Sequence, residues 1–176
     1  MGDRSVVDYR LGTLSDAPSV SALAIQVFLG TYSPSGVRPD IAREALSAFA
    51  ESAVRARLAH PSRTFVLAVR EGRLLGFAEV NANSPSPPPS DAGEVELARL
   101  YVQPGVQRQG IGAALLHGAE DLARKAGARH LWLTVWAGNE AAISFYRASS
   151  YRELGTTHFM IGNSSYENCL MARQIP

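Results

Sequence analysis

The sequence predicts an α/β fold: a mixed, partly antiparallel central sheet with helices on both faces. Three observations carry this. β-patterned and helical runs interleave in the order β-α-α-β-β-β-α-β-α-β-β, with no internal repeat. Thr64 to Val69 and Leu74 to Val80 flank the turn Glu71-Gly72 and read as a hairpin. Strand signals recur after each later helix, which fits one sheet, part antiparallel and part parallel.

The elements follow in order. Tyr9 to Gly12 is a short strand. Ser15 and Asp16 can cap a helix carrying Val20, Leu23, Ala24, Val27 and Phe28 at helical spacing, broken at Pro34-Ser35-Gly36. A second helix is expected from about Pro39 to Ala59, with Ile41, Ala45, Phe49 and Leu58 apolar, and Pro61 ends it. After the hairpin, Asn81 to Gly93 holds Pro85, Pro87, Pro88 and Pro89 and reads as a loop. Val95 to Val102 is a strand, Ile111 to about Lys125 a helix closed by Gly127, and His130 to Trp136 a strand. Asn139 caps a helix to about Ala148, and Tyr151 to Phe159 and Tyr166 to Met171 are the closing strands.

The bulk properties narrow the function. At 176 residues the chain is expected to be one domain, residues 1 to 176, large enough to bury roughly 70% of its unfolded surface. With 46% hydrophobic and 19% charged residues it reads as globular, and a net charge of +1 gives no field that steers it to nucleic acid or an anionic membrane. The lone Cys169 cannot form an internal disulfide, and Met1 to Asp8 is polar and unlike a signal peptide. Together these give the expectation of a cytoplasmic protein. His60, His117 and His130 show no metal-ligand spacing with each other or with Cys169, so no metal is expected.

The most informative stretch is Leu100 to Leu116, "LYVQPGVQRQGIGAALL". A strand runs into a turn rich in Gly and Gln, then into a helix starting near Ile111. A helix start offers unpaired N–H groups and about half a positive charge. Gly110 and Gly112 clear space for a phosphate, and Arg108 can add a full charge. A P-loop would need Lys and then Ser or Thr after its second Gly; Ile111 and Gly112 stand there. A dinucleotide fingerprint would need a Gly three residues after Gly112, where Leu115 stands. A plain Gly-rich strand-to-helix turn is the bland alternative.

The stretch matches the Gln/Arg-x-x-Gly-x-Gly/Ala pattern of the GCN5-related N-acetyltransferases (GNAT) through Gln107, Gly110 and Gly112, with Val102 and Pro104 also in their usual places. Trp132 to Tyr151, "WLTVWAGNEAAISFYRASSY", resembles the same family's second motif through Asn139, Ala142, Phe145 and Tyr146. The resemblance covers nearly the whole chain. The tail Gly155 to Ala172, "GTTHFMIGNSSYENCLMA", is similar to the bacterial spermidine/spermine N-acetyltransferase subgroup. One departure stands out. The family usually has Gly and then an aromatic after the Phe-Tyr helix, whereas Ser149 and Ser150 precede Tyr151 here, so the usual left-handed Gly is missing at the helix end.

The resemblance implies a GNAT-type sheet and an enzyme that moves an acetyl group from acetyl-CoA to a small primary amine by direct transfer in a ternary complex. A polyamine is the first acceptor to consider. Acetylation of protein or peptide N-termini and a non-catalytic acyl-CoA sensor are the alternatives, and a homodimer is left open. The cosubstrate is expected where Val95 to Val102 splays from His130 to Trp136. Its expected contacts are Leu100, Tyr101, Val102, Gln107, Arg108, Gln109, Gly110, Ile111, Gly112, Asn139 and Tyr146. Glu96 is the expected general base, with Glu94 in reserve, and Tyr146 the group that meets the leaving thiolate. Strict strand alternation would put Glu94, Glu96, Ala98 and Leu100 on one face and Val95, Leu97, Arg99 and Tyr101 on the other. Asp91, Glu94, Glu96 and Glu140 are the candidate carboxylates for a polyamine, and His158 is a candidate on the acceptor side. Cys169, in an apolar strand, reads as inert.

Overall fold

A computed structural model describes residues 6–87 and 93–176. The strands are β1 (Asp8–Leu11), β2 (Arg63–Arg70), β3 (Arg73–Asn81), β4 (Glu96–Val102), β5 (His130–Trp136), β6 (Arg152–Ile161) and β7 (Ser164–Gln174). The helices are α1 (Ala17–Tyr32), α2 (Pro39–Ala48), α3 (Glu51–Ala59), α4 (Ile111–Lys125) and α5 (Glu140–Ala148). The strands form one seven-stranded sheet in the order β1-β2-β3-β4-β5-β7-β6. Every neighbouring pair is antiparallel except β4 and β5. The α/β fold with helices on both faces is as expected.

Each face carries its own core. On one, Ile111, Leu115, Leu116 and Ala119 of α4 and Ile143 of α5 pack with Val66, Ala78, Leu97, Leu131 and Leu133 of the sheet. On the other, Val20, Leu23, Ala24 and Phe28 of α1, Ile41 and Ala45 of α2 and Val54 of α3 pack with Phe65, Leu67 and Phe77. The hairpin turn places Glu71 at φ 50° and Gly72 at φ 73°, both left-handed, as a tight two-residue connection requires.

The single helix expected over 39 to 59 is two helices, broken at Phe49-Ala50, where Ala50 is extended at ψ 142°. Phase explains the break. Ile41, Ala45 and Phe49 share a helix face, but Leu58 comes nine residues after Phe49, roughly half a turn out of register at 3.6 residues per turn. Phe49 turns inward instead, 2% exposed, and packs edge-on to Phe28 at 5.4 Å. Its carbonyl accepts a hydrogen bond from Ser21 Oγ at 2.5 Å.

The end of α5 keeps a left-handed turn without a glycine. Ser150 adopts φ 66°. Tyr151 N donates to Tyr146 O at 3.0 Å and Ser150 N to Arg147 O at 3.0 Å, the paired bonds of a Schellman closure. The Ser149-Ser150 departure therefore leaves the helix end in the geometry that glycine would give it. A serine held left-handed costs about 1–2 kcal/mol, partly offset by the entropy a glycine would lose on folding. Ser150→Gly is expected to stabilise the fold by about 0.5–1 kcal/mol, a rise in Tm of roughly 1–4 °C for a chain of this size. Thermal unfolding followed by circular dichroism checks it; a Tm at or below that of the parent chain would mean the turn is not strained.

Candidate active site

The site begins with an irregularity in β4. Across the β3–β4 ladder Val80 opposes Leu97 and Glu79 opposes Arg99, so Ala98 is left unpaired as a bulge. The bulge inverts the alternation beyond it. Glu96, Arg99 and Tyr101 stand opposite Asn81, Glu79 and Phe77, alternate residues of β3 that share one face. Leu97, Leu100 and Val102 join the core on the other face. Strict alternation, which grouped Glu96 with Leu100 and against Arg99 and Tyr101, is therefore corrected: the extra residue shifts the period by one.

Next to the bulge the sheet opens. β4 and β5 pair at a single register position, Glu96 with Trp132, and Trp132 N donates to Val95 O at 3.2 Å. Beyond it the parallel strands diverge toward their C-terminal ends, the expected splay. Ligands in open α/β sheets favour a crevice of this kind.

Two cavities meet at the opening. The larger, of about 570 Å³, is lined by Val102, Gln107, Arg108, Gly110, Gly112 and Phe145 among others. The smaller, of about 340 Å³, is lined by Glu44, Glu96, Arg99, Tyr101, Trp136 and Asn168 among others, with Tyr32, Phe49, Thr134 and Phe159 also in its wall. Val27, Thr31, Leu100, Asn139, Ala142 and Tyr146 line both.

The turn before α4 fits a pyrophosphate. Arg108 at φ 62° and Gly110 at φ 82° are left-handed, and alternating such residues with ordinary ones turns successive N–H groups toward one concavity. Among the described residues no hydrogen-bond acceptor takes the amides of residues 110 to 113. A Cβ at Gly110 would meet nothing within 4 Å, so its role is conformational; at Gly112 a Cβ would meet Phe145 and Val102 at 3.7–3.8 Å, ordinary contact. Of the expected cosubstrate contacts, Leu100, Val102, Gln107, Arg108, Gly110, Gly112, Asn139 and Tyr146 line the larger cavity. Tyr101 lines the smaller one. Ile111 is 2% exposed in the core and offers the turn only its backbone. Gln109 is exposed and accepts from Arg70 at 3.4 Å.

The charged groups are held in place. Glu96 Oε2 accepts a hydrogen bond from Ser84 Oγ at 2.6 Å, and Ser84 O accepts from Trp132 Nε1 at 3.1 Å. Glu79, fully buried, accepts from Arg63 at 2.5 Å and Arg99 at 2.8 Å, with Arg57 Nε at 3.4 Å. Burial disfavours the Arg99 charge most strongly, but Glu79, Tyr101 and Glu96 together outweigh it, and the guanidinium is held more firmly protonated than usual. Tyr146 is 8% exposed, and burial pushes its phenol well above the ordinary range. Among the described residues its hydroxyl has no hydrogen-bond partner. Asn139 Oδ1 accepts from Ala142 N at 3.2 Å, which makes it the α5 cap as well as a wall of both cavities.

Several candidates fall elsewhere. Glu94 and Glu140 are exposed and line neither cavity, as does His158 on β6, whereas its neighbour Phe159 does line one. Asp91 lies outside the described residues. Cys169 is half-buried, and burial raises its thiol pKa, consistent with an inert residue. No group of three or more metal-ligating side chains occurs among the described residues. Glu44, Arg99, Tyr32 and Asn168 were not anticipated; they come from α1, α2, β4 and β7, and only the three-dimensional packing assembles them.

Comparison with known proteins places this architecture. The model of the Acetyltransferase (GNAT) family matches residues 31–151, and the chain belongs to that family. It is an N-acetyltransferase, with acetyl-CoA as its acetyl donor. An uncharacterized N-acetyltransferase of Mycobacterium tuberculosis is 28% identical over 167 residues, 92% of this chain and 99% of that protein. Streptothricin acetyltransferase of Streptomyces lavendulae is 37% identical over 94 residues, 53% of this chain and 47% of that protein. The crystal structure of the PaiA N-acetyltransferase of Thermoplasma acidophilum in complex with coenzyme A shares the fold, with a TM-score of 0.74 at 20% identity over 96% of this chain and 99% of that one. No described helix is long and apolar enough to cross a membrane.

Gly112→Glu is expected to keep the fold, because a Cβ has room there. It would also set a carboxylate against the bound phosphates and lower acetyl-CoA affinity at least about a hundredfold. Titration calorimetry measures this. Unchanged affinity in the folded variant would place the pyrophosphate elsewhere.

Proposed function

We propose that the chain transfers the acetyl group directly to a small primary amine, a polyamine first among the candidates, with acetyl-CoA along the glycine turn and the sheet opening and the amine in the smaller cavity. The observation that carries this reading is the junction of the cavities: Tyr146 lines both, and Glu96 lines the smaller. A donor on one side and an acceptor on the other can react only where the two spaces touch. Leu100 and Val102, past the last β4–β5 pair, would offer backbone groups to the pantetheine amides. Gln107 to Gly112 would hold the pyrophosphate.

The chemistry assigns roles. An alkyl ammonium has a pKa near 10.4, so at pH 7 about one in several thousand is free amine. Glu96, oriented by Ser84, takes that proton directly or through a water. The amine nitrogen then bonds to the thioester carbon, the carbon–sulfur bond breaks with coenzyme A departing as thiolate, and the extra proton on the new amide nitrogen passes to that sulfur, so the products are the neutral amide and the free thiol. A thiol of pKa about 8.5 is a stronger acid than an ordinary tyrosine at about 10. Burial raises Tyr146 further, so complete proton transfer from it is uphill. Tyr146 serves as a hydrogen-bond donor to the developing thiolate, an interaction realised mainly in the transition state.

The polyamine reading draws support from Glu44 and Glu96 on the cavity wall and from the similarity of the tail. A peptide N-terminus is the second acceptor class. The [ribosomal protein bS18]-alanine N-acetyltransferase of Escherichia coli is 43% identical over 60 residues, although these cover only 34% of this chain and 40% of that protein. A panel of spermidine, spermine, an aminoglycoside and an alanine-initiated peptide, scored by free-thiol release, separates the two. Acetylation of the peptide alone would overturn the polyamine assignment.

Two substitutions test the roles. Glu96→Gln should lower kcat/KM by roughly 10²–10⁴ at neutral pH, and the deficit should shrink as pH rises and solution supplies neutral amine. A parental pH–rate profile would remove Glu96 as base. Tyr146→Phe should lower kcat about tenfold to a hundredfold with acetyl-CoA affinity nearly unchanged, the worth of one hydrogen bond to a charged group. Full kcat under single-turnover conditions would remove Tyr146 from the chemical step.

A further inference from the structure

We propose that Trp136, seated against Gly138, sets the width of the smaller cavity, so that the acceptor presents its amino group on a slender chain and bulky amines are excluded. The inference rests on the proposal that the amine reacts in that cavity.

The turn from β5 into α5 closes with Asn139 N donating to Trp136 O at 2.9 Å, and Gly138 is its third residue. Gly138 does not take a positive φ, so the turn itself demands no glycine there. The neighbouring ring does. A Cβ at Gly138 would lie 2.5 Å from Trp136 Cζ2 and 2.7 Å from Cε2 and Cη2, well inside the roughly 3.5–4.0 Å at which carbons pack. Among the described glycines no other would bring a Cβ so close to a neighbouring atom. The space of the missing side chain is occupied by the indole, a close approach that only glycine allows.

That indole is a wall of the smaller cavity. It is the last residue of β5, and its ring lies 5.4 Å from that of Tyr32 and 6.0 Å from that of Tyr166, centroid to centroid. The turn and two tyrosines from separate elements thus fix where the ring stands. Tyr32, Phe49, Tyr101 and Phe159 also line the cavity. Aromatic side chains turn about only two bonds, so a wall built of them changes shape little. An unbranched chain gains apolar contact along such walls, whereas a ring or a branch must displace one of them. Trp136 is the wall whose position depends on the absence of a single Cβ. One methyl group at residue 138 is therefore enough to move it.

The test compares hexane-1,6-diamine with 1,4-bis(aminomethyl)cyclohexane, which joins two similar amino groups through a ring instead of a chain. The parent should favour the open chain in kcat/KM by about tenfold or more, the discrimination a close-fitting apolar pocket can supply. Trp136→Phe should lower that ratio and Trp136→Leu bring it near one, through a lower KM for the cyclic diamine. Gly138→Ala should raise it severalfold, because the methyl drives the indole toward the open space of the cavity. Adding Trp136→Phe to Gly138→Ala should bring the ratio back down, since the smaller ring leaves room for the methyl. Acetyl-CoA affinity should stay parental throughout. If Trp136→Leu does not fold, Trp136→Phe and Gly138→Ala carry the test. A parental ratio near one, a ratio unmoved by the substitutions, or a Gly138→Ala variant that loses acetyl-CoA affinity with its ratio unchanged would overturn the inference. If the ratio is unmoved while Glu96→Gln behaves as proposed, the width assignment alone falls. If the substitutions instead alter the preference between acetyl-CoA and butyryl-CoA, the smaller cavity holds the acyl group, and the placement of the amine falls with the inference.

Discussion

Two antiparallel half-sheets, β1 to β4 and β5 to β7, are joined by a single parallel register position, Glu96 with Trp132. Backbone donors and acceptors that face each other across a sheet normally satisfy one another, and past this position they do not. The seam would come apart if the sheet alone held it. α4 prevents that by packing across it: Ile111, Leu115, Leu116 and Ala119 lie in one core with Val66 and Ala78 of the first half and Leu131 and Leu133 of the second. The helix that splints the seam also presents its N-terminal amides to the larger cavity, so the device that stabilises the opening belongs to the binding site as well.

The bulge at Ala98 needs a similar restraint. Glu79 faces Arg99 across the ladder at the residue where register shifts, and Arg63 from β2 and Arg57 from α3 close on the same carboxylate. A buried ion cluster contributes little net stability once desolvation is counted, and its clearest attested use is fixing register. A slip of one residue would separate Arg99 from Glu79 and turn Glu96 to the opposite face. The cluster thereby determines which side of the sheet the proposed base occupies.

Most of the elements were legible because local rules govern them. The hairpin follows from Glu71-Gly72, the α5 start from Asn139, and the glycine turn from the chemistry that a phosphate requires. The division of the 39 to 59 helix was readable in principle, since Leu58 is out of phase with Phe49. The bulge was not, because nothing in "VELARLYV" marks Ala98 as the residue that goes unpaired; the partner strand selects it. The smaller cavity was largely hidden for the same reason. Glu44, Arg99 and Asn168 are distant in sequence, and a carboxylate on an amphipathic helix looks like any solvated side chain until the sheet is laid against it. The Ser149-Ser150 departure removes the glycine that usually closes this helix, yet the left-handed turn persists at an energetic cost that residue type alone does not reveal.

Both tryptophans of the chain stand in β5, Trp132 at the seam and Trp136 in the wall of the smaller cavity. Tryptophan emission of the intact protein therefore originates from one strand. One indole is buried and donates to Ser84, beside the proposed base; the other stacks near Tyr32 and Tyr166. The molecule carries its own optical probe, with one fluorophore sensitive to the joint between the half-sheets and the other to whatever fills the smaller cavity.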